Sequence, residues 1–430
     1  MKEWEDNTFK HVKDVPGYKD KEIKLRGWVY RQRAGKNNAF IVLRDSTGQV
    51  QCISKNEDPF FAIASSVGVE ASVELEGIVK EDARAPGGHE IRLTGIKQIG
   101  ESPDFPINKD QSTEFLMDVR HLWLRSQKMT NMVKARNCII GYLRDWFREN
   151  EFWEVHAPIF TVAGCEGGST LFPVDYFGKE AYLSQSGQMY MEVAIYGLER
   201  VYTLTPSFRA EKSRTTRHLT EYWHLEAEAA FVNNKGNMQI QEEMISHVCQ
   251  NMAKNQPELL KFFGRQPEDM AKIKPPFERL SYEEMLEELK HKGTEMAWGD
   301  DPGAPQEKVL TKDRDKPIFV YNYPRGSKAF YMKIEDSTHV ACADMLAPEG
   351  HGEIIGGSER EWRLEELKKS MKDFGLEEEN YEWYLDLRRY GSVPHSGFGL
   401  GIERLVKWVL NLEHIRDSIP FPRTTNRVYP

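Results

Sequence analysis

Between residues 21 and 100 apolar and polar positions alternate in short runs, the period-two signature of half-buried strands. The first run is Ile23-Lys24-Leu25-Arg26-Gly27-Trp28-Val29-Tyr30, and Ala39-Phe40-Ile41-Val42-Leu43-Arg44 is the second. A Ser46-Thr47-Gly48 turn leads into Val50-Gln51-Cys52-Ile53. The runs at residues 71–79 and 90–93 complete five strands, and residues 59–67 read as a short helix between the third and fourth. A polar linker with Pro103, Pro106, Asn108 and Asp110 follows. The period then changes. From residue 126 to 150, Met129, Met132, Val133, Ile139, Ile140, Leu143, Trp146 and Phe147 recur at helical spacing. This helix runs into an extended stretch, residues 152–158, that ends at Pro158. The rest mixes strands with predicted helices such as 238–254 and 359–374.

Five strands with one helix between the third and fourth suit a small closed barrel of OB type. Downstream, strand pairs joined by short turns rather than helical crossovers predict a large α+β domain. The expected division is a barrel domain over 1–102, a hinge over 103–125 and a catalytic domain over 126–430.

Bulk composition narrows this picture only slightly. A chain of 430 residues accommodates two or three units. No apolar stretch approaches the ~20 residues of a membrane helix, so no membrane partner is expected. The acidic Met1-Lys2-Glu3-Trp4-Glu5-Asp6 start predicts no targeting segment and a cytoplasmic protein. Five widely spaced cysteines without a Cys-x-x-Cys pair argue against a disulfide framework or structural zinc site. The net charge of -9 does not exclude nucleic acid, because a local basic patch suffices.

Two segments carry candidate chemistry. In Thr205-Pro206-Ser207-Phe208-Arg209-Ala210-Glu211, a strand-like run leads into a basic loop, residues 212–217. A second strand-like run, residues 218–228, leaves it. An arginine here can pair with phosphate or carboxylate through its planar fork. Much later comes His395-Ser396-Gly397-Phe398-Gly399-Leu400-Gly401-Ile402-Glu403-Arg404, running into an apolar helix. Its glycines allow close approach of a ligand, and a helix start favours anions. The spacing is neither a dinucleotide-binding fingerprint nor a P-loop.

Taken together, Pro158 after the long helix, Phe-Arg-x-Glu with its basic loop, and Gly-x-Gly-x-Gly-x-Glu-Arg resemble the three signature motifs of class II aminoacyl-tRNA synthetases. With a barrel in front, the chain resembles the aspartyl, asparaginyl and lysyl subgroup over nearly its whole length. The resemblance implies an ATP-dependent ligase that forms an aminoacyl adenylate and passes it to tRNA. It implies that Arg209 grips the α-phosphate and the amino-acid carboxylate, and that Glu211 holds the adenine amino group. Tyr222 or its neighbour would stack on the base, and Gly401 would lie along the nucleotide. Arg217, His218 and Arg404 would reach the terminal phosphates. Asp344 and Glu353 match positions that hold Mg2+, although the serine found in archaeal-type aspartyl relatives is Gly356 here. Arg209 and Arg404 are the catalytic pair, since displacement at phosphorus needs charge neutralisation and alignment.

For the amino acid, Glu166, Ser186 and Gln188 match positions around the α-amino group, and Arg360 matches the arginine that reads the side chain. Residues 184–192 look like the pocket strand of the subgroup. Aspartyl relatives carry a lysine there where this chain has Met191, followed by Glu192. A carboxylate substrate would meet like charge at Glu192, whereas an asparagine amide could donate to it and accept from Arg360. Asparagine and tRNA(Asn) are therefore the expected substrates. The alternative is that Met191 and Glu192 face away from the pocket. An aspartate–tRNA ligase, an aspartate-amidating synthetase and a non-catalytic nucleic-acid-binding paralogue remain the other readings. In the barrel, Arg33, Phe40, Gln51 and Glu90 match anticodon-reading positions, and the helix from 126 with Pro158 implies a homodimer.

Overall fold

The barrel is built from β1 (Glu22–Ala34), β2 (Asn38–Arg44), β3 (Gln49–Lys55), β4 (Ser72–Glu81) and β5 (His89–Gly100), with helix α1 (Phe61–Ser66) after β3. The computed structural model describes residues 6, 8–162, 164, 170–212 and 217–430, in two compact units, Met1–Ser112 and Thr113–Pro430. In the first unit the strands close in the order β1-β2-β3-β5-β4. Alternation decides which side chains fill it. Ala39, Ile41 and Leu43 of β2 and Val50 and Cys52 of β3 are buried, while the residues between them are only half-buried. Leu25 opposite Leu75, and Cys52 opposite Ile91, extend the same core around the closure. Gly27 sits where β1 crosses β2 so closely that a Cβ would collide with the Arg44 carbonyl, a role that excludes any side chain. The observed β5 is much longer than the four-residue run expected from the pattern, because its second half continues along β4 to Gly100.

The second unit begins inside the expected hinge. Helices α2 (Thr113–Asp118) and α3 (Arg120–Trp123) precede the long α4 (Gln127–Glu149). Arg120 is buried, and its guanidinium donates to the carbonyls of Pro420 (2.7 Å), Arg416 (3.0 Å) and Ile419 (2.8 Å). Helix α4 starts where the Ser126 hydroxyl accepts the Met129 amide at 3.3 Å, satisfying one of the open donors of the first turn. Its buried stripe includes Met129, Met132, Ile139, Leu143, Trp146 and Phe147, as the spacing predicts.

Beyond it come β6 (Trp153–Glu154), β7 (Phe160–Thr161), β8 (Phe172–Tyr176), β9 (Lys179–Leu183), α5 (Gln188–Leu198), β10 (Arg200–Phe208), β11 (Glu221–Ala230) and α6 (Asn234–Asn255). An outer segment holds α7 (Pro257–Phe262), α8 (Pro267–Ala271), β12 (Glu278–Ser281), α9 (Tyr282–His291), α10 (Ala304–Thr311) and β13 (Ile318–Tyr321). The chain ends with β14 (Cys342–Ala347), β15 (Gly352–Glu359), α11 (Leu364–Asp373), α12 (Glu382–Arg389), β16 (His395–Gly401) and α13 (Ile402–Val409). Eight strands form one sheet in the order β12-β13-β14-β15-β16-β11-β10-β6, antiparallel except for its two outermost pairs. A three-stranded sheet β7-β9-β8 stands apart. The Arg136–Glu403 ion pair (2.7 Å) ties α4 to α13.

Two local expectations change. Residues 188–192, expected as strand, form the first turns of α5, which Gly187 opens by accepting the Tyr190 and Met191 amides. The helix expected over 359–374 is a strand end at Glu359 followed by α11 from Leu364, because β15 stays paired to β16 through Glu359. Among the described residues no helix is long and apolar enough to cross a membrane.

Candidate active site

The sheet's face carries a cavity of 1110 Å3, floored by β11, β15 and β16. Strand pleat explains the floor. On β11, His224, Glu226 and Glu228 lie two apart and all line the cavity, as period two requires. Their neighbour β16 has glycines opposite them. A Cβ at Gly397 would collide with the Glu228 carboxylate, and one at Gly399 with the His224 ring. The glycine spacing thus makes room for side chains of the adjacent strand, in addition to any bound molecule.

One end of the cavity is cationic. Arg209, just after β10, stands with its guanidinium 5.7 Å from the centre of the Tyr222 ring. Arg404, in the first turn of α13, pairs with Glu353 at 2.9 Å. Arg217 pairs with Glu307 at 2.7 Å. Burial and the charge of Arg404 lower the His218 pKa. Glu211 and Gly401 complete this part of the wall. Such a set can neutralise a polyphosphate, and an aromatic ring and a carboxylate beside it suit a purine base.

Asp344 and Glu353 stand on β14 and β15 on either side of Gly356, whose Cβ would lie 3.4 Å from Asp344 Oδ1 and 3.5 Å from Glu353 Oε1. Burial raises Asp344 to about 6, helped by the Glu353 and Asp301 charges and opposed by Lys328. Glu353 is held at about 2, as Arg404, Arg217 and Lys328 outweigh its burial. Two hard oxygen donors converging beside a phosphate-binding wall fit Mg2+, which takes one or two carboxylates plus phosphate oxygens. Lys328 spans Asp344 (2.8 Å) and Asp301 (2.9 Å), with its ammonium 3.8 Å from the centre of the Tyr323 ring. Burial alone would depress it, but those carboxylates hold its pKa above the ordinary lysine value.

The opposite end is built for a small polar ligand. Ser186 donates to Glu226, which also accepts the Gly187 amide at 2.6 Å. Burial raises the Glu226 carboxyl, and these donors offset part of the effect. Deeper, Arg360 holds Glu228 through two parallel bonds, Nε to Oε1 at 2.9 Å and Nη2 to Oε2 at 3.0 Å. Its third nitrogen donates to Ser358 Oγ at 2.7 Å. Burial raises the Glu228 carboxyl against the pull of Arg360. The guanidinium, despite its own burial, is raised further above its usual range by Glu228.

Residues 112–425 match the family model "tRNA synthetases class II (D, K and N)", and residues 23–99 match "OB-fold nucleic acid binding domain". The chain belongs to the class II tRNA synthetases of this group. It is 48% identical over 418 residues to an asparagine–tRNA ligase of Thermoplasma acidophilum, covering 96% of this chain and 97% of that one. An asparagine–tRNA ligase of Thermococcus gammatolerans is 50% identical over 419 residues, covering 96% and 97%. Among solved structures, asparaginyl-tRNA synthetase from Pyrococcus horikoshii complexed with asparaginyl-adenylate superimposes with a TM-score of 0.95 at 47% identity, covering 98% of this chain and 99% of that one.

In this class II synthetase, Ser186, Gln188, Arg209, Glu211, Arg217, His218, Tyr222, Asp344, Glu353, Arg360, Gly401 and Arg404 all line the one cavity. Glu166 lies outside the described residues. Glu192 departs from the expectation. It is fully buried on α5 and does not line the cavity, because the helix turns it toward Arg388 (2.7 Å), Tyr384 (2.8 Å) and His395 (3.0 Å). Met191 likewise packs with Ile195 and Val201 in a separate apolar cluster. The carboxylate facing the cavity beside Arg360 is Glu228. The alternation in Leu225-Glu226-Ala227-Glu228 is that of an ordinary half-exposed strand, so the sequence carries no local signal for it.

On the barrel, Arg33 lies opposite Phe40, and Gln51 opposite Glu90, with Gln51 Nε2 donating to Glu90 at 2.7 Å. The pleat that buries Ala39 and Ile41 turns Phe40 to the outer wall.

Proposed function

We propose that this chain is an asparagine–tRNA ligase: it activates L-asparagine with ATP and transfers it to tRNA(Asn). The observation that carries the reading is the Arg360–Glu228 pair in the depth of the cavity. A carboxamide offers an acceptor oxygen to Arg360 and a donor N–H to Glu228, so both partners are satisfied. An aspartate carboxylate has no donor and places like charge against Glu228. The full-length similarity to asparagine–tRNA ligases supports the same choice.

In this reading Gln188 and Ser186, with Glu166, hold the amino-acid end, and Arg209 holds both its carboxylate and the ATP α-phosphate. Glu211 and Tyr222 take the adenine, Gly401 lies along the nucleotide, and Arg217, His218 and Arg404 take the terminal phosphates. Asp344 and Glu353 would hold Mg2+, which supplies charge neutralisation of the phosphates. The asparagine carboxylate oxygen attacks the α-phosphorus as the bond to pyrophosphate breaks. Arg209 orients both reactants and carries the charge that gathers on the phosphoryl oxygens. The 3′-terminal hydroxyl of tRNA then attacks the adenylate carbonyl, and AMP leaves. Arg33, Phe40, Gln51 and Glu90 read the anticodon loop by stacking and hydrogen bonding, and the enzyme works as a cytoplasmic homodimer.

The test is ATP–pyrophosphate exchange with asparagine and aspartate side by side, followed by charging of tRNA. Exchange driven by asparagine in preference to aspartate is expected. Exchange driven better by aspartate, or by neither, overturns the reading.

A further inference from the structure

Behind the Arg360–Glu228 pair lies a second ion pair with no access to the cavity. Glu192 of α5 and Arg388 of α12 have fully buried side chains and meet at 2.7 Å. Tyr384 donates to both Glu192 oxygens at 2.9 and 2.8 Å, and Gln188 Nε2 donates at 3.0 Å. His395 approaches through Nε2 at 3.0 Å, while its Nδ1 faces the Val393 carbonyl at 2.8 Å.

The two layers touch electrostatically. Ligating atoms of Glu192, Glu228 and His395 all lie within 4.8 Å of one another, and Arg360 also acts on Glu192. A replacement by apolar residues of equal volume would stabilise as well as a buried ion pair does, so stability alone is weak ground for such a pair. Its position is more informative. Gln188 and Glu192 share one face of α5, Gln188 lines the cavity, and Glu192 stands one turn further in.

We propose that Glu192 is a specificity-determining residue that never touches the substrate: paired with Arg388, it cancels that cation behind Arg360 and Glu228, and so withholds from an acidic substrate side chain the stabilisation an unbalanced buried cation would give. The inference rests on the reading of the cavity as an asparagine site and adds a second layer to it. Without Glu192, Arg388 stands as an unbalanced buried cation behind the pocket and Arg360 loses a neighbouring negative charge. Both changes favour a carboxylate ligand.

The experiment is ATP–pyrophosphate exchange with asparagine and with aspartate for the wild type, Glu192→Gln, and the double variant Glu192→Gln with Arg388→Met. In Glu192→Gln the ratio of kcat/KM for aspartate to that for asparagine is expected to rise on the order of tenfold, the scale of one unbalanced charge acting across roughly 10 Å of protein. The double variant, which removes both charges, is expected to return the ratio toward the wild-type value. An unchanged ratio in Glu192→Gln overturns the proposal. So does a double variant whose ratio stays at that of the single, since a charge effect responds to charge balance and a packing defect does not. Wild-type protein without asparagine-dependent exchange would instead remove the reading underneath, and that arm is scored before the variants.

Discussion

Replacing Glu228 by glutamine changes one buried charge at almost constant volume, and its effect can be sized from the structure. Glu228 is 1% exposed and receives two bonds from Arg360, at 2.9 and 3.0 Å. For asparagine, the variant exchanges an ionised acceptor for a neutral one, a loss of about 1.5 to 3 kcal/mol for a charge-assisted bond. That corresponds to a fall in kcat/KM of roughly 10- to 100-fold. For aspartate, the variant removes a like-charge contact of about 4 kcal/mol, taking ~4 Å and an effective dielectric near 20. Cavity water and rearrangement of Arg360 reduce that gain. The two effects multiply, so the aspartate-to-asparagine ratio is expected to rise by at least ~100-fold, with roughly 100,000-fold as the upper end if none of the aspartate gain is lost. The assay is amino-acid-dependent ATP–pyrophosphate exchange, with thermal melting alongside, because losing one partner of a buried pair also destabilises. An equal loss for both amino acids at an unchanged melting temperature would refute the reasoning. Glu228 would then serve only to hold Arg360.

Three further outcomes follow from other parts of the molecule. Phe40→Ala on the outer wall of the barrel is expected to raise KM for tRNA about 10-fold or more, the worth of one stacked base; asparagine-dependent exchange, measured in parallel without tRNA, should keep its wild-type rate. Arg120→Met removes donors from three carbonyls of residues 416–420, and denaturant unfolding should register a loss of about 3 kcal/mol. Glu288 is held at about 2, below the ordinary 4.5, chiefly by the hydrogen bonds from Arg314, with Lys292 adding to them. A depressed carboxyl stabilises above its unfolded pKa and loses that contribution as pH falls through its folded one. Glu288→Gln should therefore melt lower than wild type at neutral pH, by about 1 to 2 kcal/mol, and the gap should close between pH 4.5 and about 2.

The parts of the fold that the sequence made legible are those where one periodicity governs a whole element. The barrel strands and the helix Gln127–Glu149 bury their alternate or i, i+3, i+4 positions against a single core, so pattern and structure coincide. The stretch at 188–192 failed for the complementary reason. Gln188-Met189-Tyr190-Met191-Glu192 has apolar residues at adjacent positions and both its polar ends buried, so neither period stands out. With strand periodicity Gln188 and Glu192 would point the same way into one pocket. In the helix they are one turn apart, and only Gln188 reaches the cavity. The hinge expected at 103–125 was drawn on prolines and polar residues, yet Arg120 is fixed by carbonyls some 300 positions away in sequence, a contact no local pattern encodes. The arginines at 209, 360 and 404 were legible because guanidinium chemistry is rarely replaceable at a phosphate or carboxylate site. Glu228 is not legible in this way, because a glutamate in a strand looks ordinary until its partner across the sheet is known.

That partner also explains why adenylate chemistry and side-chain selection can be served by one strand. His224, Glu226 and Glu228 project from β11 toward the same cavity, each separated by two residues, or about 6.8 Å along the strand. That spacing carries the wall from the Arg209–Tyr222 end to the Arg360 end in three steps. The register is fixed on both sides, with Thr205 opposite His224 on β10 and Gly397 opposite Glu228 on β16. A slip of one residue would turn all three side chains to the other face and put Leu225 and Ala227 into the cavity. It would also set side chains of β11 against β16 positions that have no room for them. The glycines at 397 and 399 therefore act as register marks: they lie opposite Glu228 and Glu226, and a Cβ at either would collide with the Glu228 carboxylate or the His224 ring. The glycines that allow a ligand's close approach thus also select the strand register that turns Glu228 toward the cavity.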